Sequence, residues 1–161
     1  MLKEGFQTMQ IFKLTIDDIE KYKEEIVTML KQSFEKSFPE LNYEPTSFYD
    51  RVESLKVYLN EKKALVYGSE IDESLAGFVW FFEKDTPKGK LIHINHFVVD
   101  ENFRRRGLGN TLWNMVEEYA SKRGIEEIEL LVTKNNENAV NFYLNRNFEV
   151  ERLVMKKRLL K

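Results

Sequence analysis

The pattern between residues 90 and 132 constrains the fold more than any other part of the sequence. An apolar, strand-like run over Lys90–Val99 is followed by a helical pattern over Gly107–Arg123, and a second apolar run covers Ile125–Val132. Gly124 stands where the helical pattern stops, and glycine commonly ends a helix at such a position. Two neighbouring strands joined through one helix pair in parallel, because a parallel pair needs a long crossover connection. The segment therefore predicts a βαβ-like unit inside a larger sheet.

The rest of the chain predicts elements that complete an α/β (α+β) fold. Two helical patterns come first, one after a capping-box-like start at Thr15 and one from about Ser47. The other predicted elements are strands at Ala64–Ser69 and Leu75–Glu83, a turn at residues 85–89, a helix at Asn136–Arg146 and a pair of strands within Phe148–Leu160. We therefore expect one domain over residues 1–161, with a mixed sheet that is antiparallel in its first half and parallel in the middle.

Composition excludes several classes of protein. The 161 residues carry 25 Lys and Arg against 27 Asp and Glu, and this balance gives no reason to expect a nucleic acid or a membrane as partner. Cysteine is absent and histidine occurs twice, so we expect no disulfide, no cysteine nucleophile and no metal site. The longest apolar run, Leu75–Phe82, is far shorter than the roughly 20 residues that span a bilayer. Residues 1–6 show no apolar signal segment, and a cytoplasmic location is expected.

A candidate anion site lies in the loop that precedes the helix of the βαβ-like unit. The loop reads Arg-Arg-Arg-Gly-Leu-Gly over residues 104–109. Glycine permits close backbone approach, and the first turn of a helix offers free N–H groups with partial positive charge. Together these features favour phosphate, and the three arginines add positive charge. The alternative is a purely structural role, in which the glycines only shape a turn and the arginines are surface residues.

Two motifs in this order resemble the signatures of the GNAT superfamily of acyl-CoA-dependent N-acyltransferases. The first is Arg104-x-x-Gly107-x-Gly109, and the second is Asn136-x-x-Ala139-x-x-x-Tyr143-x-x-x-Asn147-Phe148. Asn147 stands where the family usually has glycine. Because asparagine also adopts the left-handed conformation readily, we expect the helix end to survive. The resemblance covers residues 90–149, and it implies a GNAT-like sheet whose central parallel strands splay around the coenzyme, with flanking helices.

The resemblance also implies acetyl-CoA as cosubstrate, with no metal. It assigns the diphosphate to the loop amides, the pantetheine arm to the strand end and Asn136, and the thioester carbonyl to an N–H group near Val98. The residues implied at the coenzyme are Phe97, Val98, Val99, Arg104, Arg105, Arg106, Gly107, Leu108, Gly109, Asn110, Asn136, Ala139 and Tyr143.

Tyr143 is the implied acid for the departing thiolate, by the same resemblance. Its spacing from Ala139 and Phe142 is also that of an ordinary buried helix stripe, so a purely structural role is the alternative.

The base that removes the amine proton has several candidates. A lysine-like ammonium has a pKa near about 10.4, so a base or a water chain would assist the reaction. Strand alternation puts His93 and His96 on opposite faces, so one of them at most faces a substrate pocket, and the sequence does not choose between them. Glu83 and Glu101 are lesser candidates.

The leading hypothesis is an N-acetyltransferase that moves acetyl from acetyl-CoA to a primary amine by direct attack in a ternary complex. Its acceptor would be a small molecule or a peptide, and no motif identifies which. One rival is a catalytically silent acyl-CoA-binding or sensing module. A weaker rival is nucleic-acid binding through Arg104–Arg106. The edge strands of the predicted C-terminal pair could support a homodimer.

Overall fold

The computed structural model describes residues 8–160, which form one five-stranded sheet with helices on both faces. The predicted lack of a signal segment in residues 1–6 lies outside the described residues. The strands are β1 Met9–Lys13, β2 Leu65–Ile71, β3 Ser74–Thr86, β4 Gly89–Val99 and β5 Ile128–Leu130. The helices are α1 Ile16–Lys21, α2 Lys23–Ser37, α3 Ser47–Asn60, α4 Leu108–Arg123 and α5 Glu137–Leu144, with a 3₁₀ turn at Glu101–Phe103.

The sheet is mixed, as predicted. The strands follow the order β1-β2-β3-β4-β5, with antiparallel pairs up to β4 and a parallel pair between β4 and β5. That parallel pair is short, since only Ile92–Ile94 of β4 pair with β5. Because β4 continues to Val99, its last five residues have no partner strand on that side. The two strands therefore separate where the resemblance implied a splayed pair.

A β-bulge interrupts β4 next to this separation. Trp80 of β3 lies opposite His96, but the following residue Phe81 lies opposite Ile94. Asn95 is therefore an extra residue in β4 and shifts the side-chain alternation by one position.

The bulge overturns the prediction that the two histidines occupy opposite faces. His96 packs against Trp80 with ring centroids 5.3 Å apart, and His93 packs against Phe82 at 5.0 Å, both with tilted rings. Trp80 and Phe82 are two residues apart in the same strand and share a face. Both histidines therefore lie on one face, which a sequence reading with strict alternation cannot reveal.

Each face of the sheet has its own apolar core. One core lies between the sheet and α1 to α3, and it includes Ile19, Ile26, Met29, Val52, Leu55, Val66 and Phe78. The other lies under α4 and includes Val79, Phe81, Ile92, Leu112, Trp113 and Val116. This second core fixes α4 against the central strands, and so fixes the loop that enters α4.

Local signals set most helix ends. Thr15 and Asp18 form the predicted capping box of α1, and α3 begins at the predicted Ser47. The single predicted helix after Thr15 is two helices, because the backbone at Tyr22 leaves helical geometry. Gly124 ends α4 in the left-handed conformation, as predicted. Strand β1 had no sequence signal, since its residues lack a clear alternation of buried and exposed positions.

The predicted pair of strands within Phe148–Leu160 is wrong. Residues 148–160 form no regular structure, and apolar side chains such as Val150 and Met155 are 72% and 90% exposed. The segment has no Gly, Pro, Asn or Asp to make a hairpin turn, and the neighbouring strand β5 offers only three residues for pairing. The expected homodimer loses the edge strands on which it rested. Within residues 8–160, no helix is long and apolar enough to cross a bilayer.

Candidate functional site

The loop between β4 and α4 presents free backbone amides. Gly107 is the N-cap of α4, and because it has no side chain it supplies no capping hydrogen bond. The N–H groups of Leu108, Gly109 and Asn110 belong to the first helical turn, where no carbonyl of the same helix can accept from them. They point out of a helix end that carries partial positive charge. This is the arrangement that binds phosphate groups in proteins.

The loop is held by contacts at its two ends. The Arg104 Nε donates to the backbone oxygen of Val99 over 3.2 Å, which ties the loop to the end of β4. The backbone N and the hydroxyl of Thr111 both donate to the oxygen of Gly107, over 3.1 and 3.0 Å. Arg105 and Gly107 adopt left-handed φ angles of +63° and +77°. These contacts keep the turn open without any of them covering the helix end.

The two glycines of the motif have different roles. Gly107 needs its left-handed φ, and a Cβ added there would meet nothing within 4 Å. Gly109 has ordinary backbone angles, but an added Cβ would lie 3.5 Å from the ring of Phe142. Gly107 therefore shapes the turn and leaves open space above it, whereas a Cβ at Gly109 would make only ordinary van der Waals contact with α5.

A cavity of about 270 Å³ opens beside this loop. It is lined by eleven of the thirteen residues that the resemblance implied at the coenzyme, which are Phe97, Val98, Val99, Arg104, Arg105, Gly107, Leu108, Gly109, Asn136, Ala139 and Tyr143. The other two lie outside it. Arg106 packs its guanidinium over the Phe103 ring at 5.5 Å, and the Asn110 side chain accepts a hydrogen bond from Arg146.

Residues of α2 and α5 that the sequence did not suggest also line this cavity. Ser33 and Lys36 come from α2, and Phe142 comes from α5. Lys36 lies 3.6 Å from the Glu101 carboxylate, and the Arg146 guanidinium lies 3.6 Å from the centre of the Phe142 ring. The α2 residues had no motif to single them out, because only the tertiary fold brings them to the loop.

A second cavity, of about 1020 Å³, continues from the first. The two share Phe97, Asn136, Ala139 and Tyr143 among their lining residues. The larger cavity extends between the sheet and helices α2 and α3, where aromatic side chains form one wall. These are Phe34, Phe38, Tyr43 and Phe48, whose ring centroids lie 5.1 to 5.8 Å apart in the four contacting pairs.

Asn136 begins α5 at the junction of the two cavities. Its side-chain oxygen accepts a hydrogen bond from the N–H of Ala139 over 3.3 Å and so caps the helix. The side-chain NH₂ group remains available to donate toward a ligand. A capping role and a ligand-binding role are therefore compatible at this residue.

Tyr143 lies on α5 where both cavities meet. It is 9% exposed and packs against the rings of Trp113 and Phe148. Burial raises the pKa of its hydroxyl to about 12, so the phenol is protonated at neutral pH. Within residues 8–160 the hydroxyl makes no hydrogen bond, which leaves it free to donate. The prediction for Asn147 is confirmed: it adopts the left-handed conformation with φ +62° in the turn after α5, and the next residue, Phe148, donates its N–H to the backbone carbonyl of Tyr143 over 3.1 Å.

His96 faces the larger cavity beside an arginine from α3. The Arg51 Nη1 lies 3.0 Å from the His96 Nε2. Because a guanidinium can only donate, Nε2 accepts and the imidazole proton sits on Nδ1. Burial, together with the positive charge of Arg51, lowers the pKa of His96 to about 4. The imidazole is therefore neutral, with its lone pair already engaged.

The other base candidates lie away from the larger cavity or are paired with other groups. The His93 Nδ1 lies 2.8 Å from the Glu129 carboxylate of β5. Glu83 accepts from Tyr119 over 2.7 Å and from Arg123 over 2.8 Å, and the Arg123 contact does most to lower its pKa to about 2. Glu101 is exposed beside Lys36. Among residues 8–160, no three His, Cys, Asp or Glu side chains are grouped to hold a metal ion.

Comparison with known proteins points to one family. Residues 23–148 match the family described as Acetyltransferase (GNAT) family. An uncharacterised N-acetyltransferase of Methanocaldococcus jannaschii is 36% identical over 90 residues, which cover 53% of this chain and 39% of that protein. The thialysine N-epsilon-acetyltransferase of Caenorhabditis elegans is 29% identical over 99 residues, covering 61% of this chain and 62% of that protein. The matched segments thus span less than two thirds of each of these relatives.

A solved structure agrees in fold. The structure of a predicted acetyltransferase with acetyl-CoA from Clostridium acetobutylicum is similar with a TM-score of 0.72 at 16% identity, covering 92% of this chain and 96% of that one. The family match includes both motifs and extends over most of the chain. The chain belongs to the GNAT acetyltransferase family.

Proposed function

We propose that the protein is an acetyl-CoA-dependent N-acetyltransferase that acts on a primary amine. The observation that carries this proposal is the continuity of two cavities, one beside the free amides of α4 and one beside Tyr143. The family match adds independent support. The amine would be a small molecule or a peptide.

The chain's own groups fit acetyl-CoA. The amides of Leu108, Gly109 and Asn110 would hold the diphosphate, because they are uncapped and the space above Gly107 is open. The backbone of residues 95–99 would bind the pantetheine arm, since no strand pairs with it on the β5 side. The Asn136 NH₂ group would donate to the same arm.

Acetyl-CoA supplies an activated acetyl group, whose C–S bond breaks as the amine nitrogen forms the new C–N bond. Donors that face the reacting end matter most, because charge develops on the carbonyl oxygen and on the sulfur. A backbone N–H near Val98 would donate to the oxygen. The Tyr143 phenol would donate to the sulfur, since its raised pKa keeps it protonated.

Of the two routes that the sequence left open for the amine proton, a side-chain base and water, we favour water. In its Nδ1-protonated form His96 has no free lone pair, and His93 is bonded to Glu129. We therefore infer that the amine is already neutral when it attacks, and that one of its two protons leaves through water after the C–N bond has formed, while the amide nitrogen keeps the other. Under this scheme His96 positions Arg51 and does not act as a base.

The test combines a binding assay with a turnover assay. Calorimetric titration with CoA reports the coenzyme site, and release of free thiol from acetyl-CoA in the presence of amines reports transfer. Binding together with amine-dependent thiol release is expected. Tight binding without release for any amine would instead support a silent acyl-CoA-binding module. Salt-sensitive RNA or DNA binding that acetyl-CoA does not displace would favour the nucleic-acid rival.

A further inference from the structure

Arg51 is a cation of the larger cavity, and it forms no ion pair with any acidic residue in the described part of the chain. It projects from α3, is exposed, and lies beside His96 on β4. Its one hydrogen bond within residues 8–160 is to the His96 imidazole, which carries no charge. The guanidinium has five N–H donors, so most of its hydrogen-bonding capacity stays open to the cavity.

The cavity around Arg51 has an excess of positive charge. Its charged lining residues are Arg51, Lys134, Lys156 and Glu44, which gives three cations and one anion. Among residues 8–160 none of the four is in an ion pair. A polycationic acceptor would meet repulsion here, whereas a molecule with an anionic group would be attracted.

His96 fixes where the guanidinium points. The imidazole packs against Trp80 with ring centroids 5.3 Å apart and the rings tilted by 43°, so the acceptor nitrogen for Arg51 has a defined position. His96 follows the bulge at Asn95 and directly precedes Phe97 and Val98, the end of β4 that lines the coenzyme cavity. An anion held by Arg51 would therefore lie beside the end of β4 at which the acyl group is expected to bind.

We propose that the acceptor carries a carboxylate as well as its primary amine, and that Arg51 binds this carboxylate in a two-point hydrogen bond. This inference rests on the proposed acetyltransferase function and names the substrate class of the same site. A guanidinium matches a carboxylate with two parallel N–H···O bonds, and such charge-assisted pairs are stronger than neutral ones. The class comprises amino acids with a side-chain amine and peptides with a nearby acidic group. It excludes simple diamines and polyamines as preferred substrates.

Matched pairs of amines that differ only in the carboxylate test this proposal. L-lysine and cadaverine form one pair, and ornithine and putrescine form another. A dipeptide with a free C-terminus and its C-terminal amide form the peptide pair. We expect kcat/KM to be about tenfold or more higher for the carboxylate member of the preferred pair. We expect Arg51→Gln to bring that ratio close to one, and Arg51→Lys to retain part of it.

A charge-matched control and a binding assay keep the outcomes separate. Lys88→Gln removes one positive charge at the exposed β3–β4 turn and should leave the ratio unchanged. Calorimetric binding of Nε-acetyl-lysine and of N-acetylcadaverine to the CoA-loaded protein reports carboxylate recognition without any turnover. If Nε-acetyl-lysine binds more tightly than N-acetylcadaverine and Arg51→Gln abolishes this difference, the carboxylate site is supported. That conclusion would hold even if no amine were acetylated, since the lack of turnover would contradict only the proposed function. Equal binding of both, or a preference for the diamine in either assay, would overturn the carboxylate site.

Discussion

Replacing Gly107 separates the effect of charge at the coenzyme site from the effect of backbone strain. Its φ of +77° is costly for most L-residues, by about 1–2 kcal/mol, but asparagine and aspartate tolerate this region better than other residues. No atom lies within 4 Å of a Cβ placed there. Gly107→Asn and Gly107→Asp should therefore fold with similar stability and differ only in one negative charge.

The magnitude follows from electrostatics in water. A carboxylate and a diphosphate held by the same turn lie roughly 5 Å apart, and each pair of charges then repels by about 0.8 kcal/mol at a dielectric constant of about 80. Two phosphate charges and partial exclusion of water raise the total to about 2–3 kcal/mol. We therefore expect Gly107→Asp to bind CoA roughly 30- to 150-fold more weakly than Gly107→Asn.

Calorimetric titration with CoA measures this difference, and thermal unfolding checks the folding of both variants. Gly124 offers a matched control, because it ends the same helix with φ +64° and has equally open surroundings. Gly124→Asp should lose stability but keep the affinity for CoA. Equal CoA affinity in Gly107→Asp and Gly107→Asn would refute the assignment of the diphosphate to this turn.

Three other predictions concern catalysis and stability. Tyr143→Phe should lower kcat by about 100-fold with little change in CoA affinity, and an equal kcat would remove its role as acid. Tyr119→Phe, whose hydroxyl donates to Glu83 beside Arg123, should leave kcat unchanged. Because the pKa of His96 is about 4, the imidazole stays neutral above pH 6 and does not change the rate there. The neutral fraction of a lysine-like amine, whose pKa is about 10.4, grows about tenfold per pH unit, so kcat/KM should rise by that factor per unit from pH 6.5 to 9. A plateau in kcat/KM that begins near pH 7 would instead support an imidazole that acts as the base. The Glu83 pKa is lowered from 4.5 to about 2, so its stabilisation is complete above pH 4.5 and lost as pH falls toward 2. Glu83→Gln should therefore reduce the free energy of unfolding by about 2–3 kcal/mol at pH 7 in urea titrations, with a smaller loss at pH 3, and a pH-independent loss would count against the ion pair.

The sequence predicted the parts of the fold that depend on local signals. The loop glycines, the capping box at Thr15 and the left-handed Asn147 each reflect a backbone preference of one or a few adjacent residues. Local signals of the same kind predicted that β4, α4 and β5 follow one another along the chain. Because these signals lie close together in the chain, they can be recognised without knowledge of tertiary contacts.

The rest of the site depends on contacts that the sequence does not encode locally. The bulge at Asn95 follows from the register between β3 and β4, and it reverses the expected placement of the histidines. Arg51 and Ser33 reach the cavities only because α2 and α3 pack on the same face of the sheet. The pair of strands predicted within Phe148–Leu160 is absent, and residues 148–160 contain no Gly, Pro, Asn or Asp that would form the turn between two strands.

Amide resonances of the glycines test the central claim, which is that the N–H groups at the start of α4 bind the coenzyme. The chain has seven glycines, so a two-dimensional NMR spectrum of protein labelled with ¹⁵N-glycine is simple enough to assign by single substitutions. During titration with acetyl-CoA, the Gly107 and Gly109 amide signals should move with the saturation curve measured by calorimetry, and those of Gly89 and Gly124 should stay in place. Saturation of the protein with acetyl-CoA while the Gly107 and Gly109 signals remain unmoved would contradict the account.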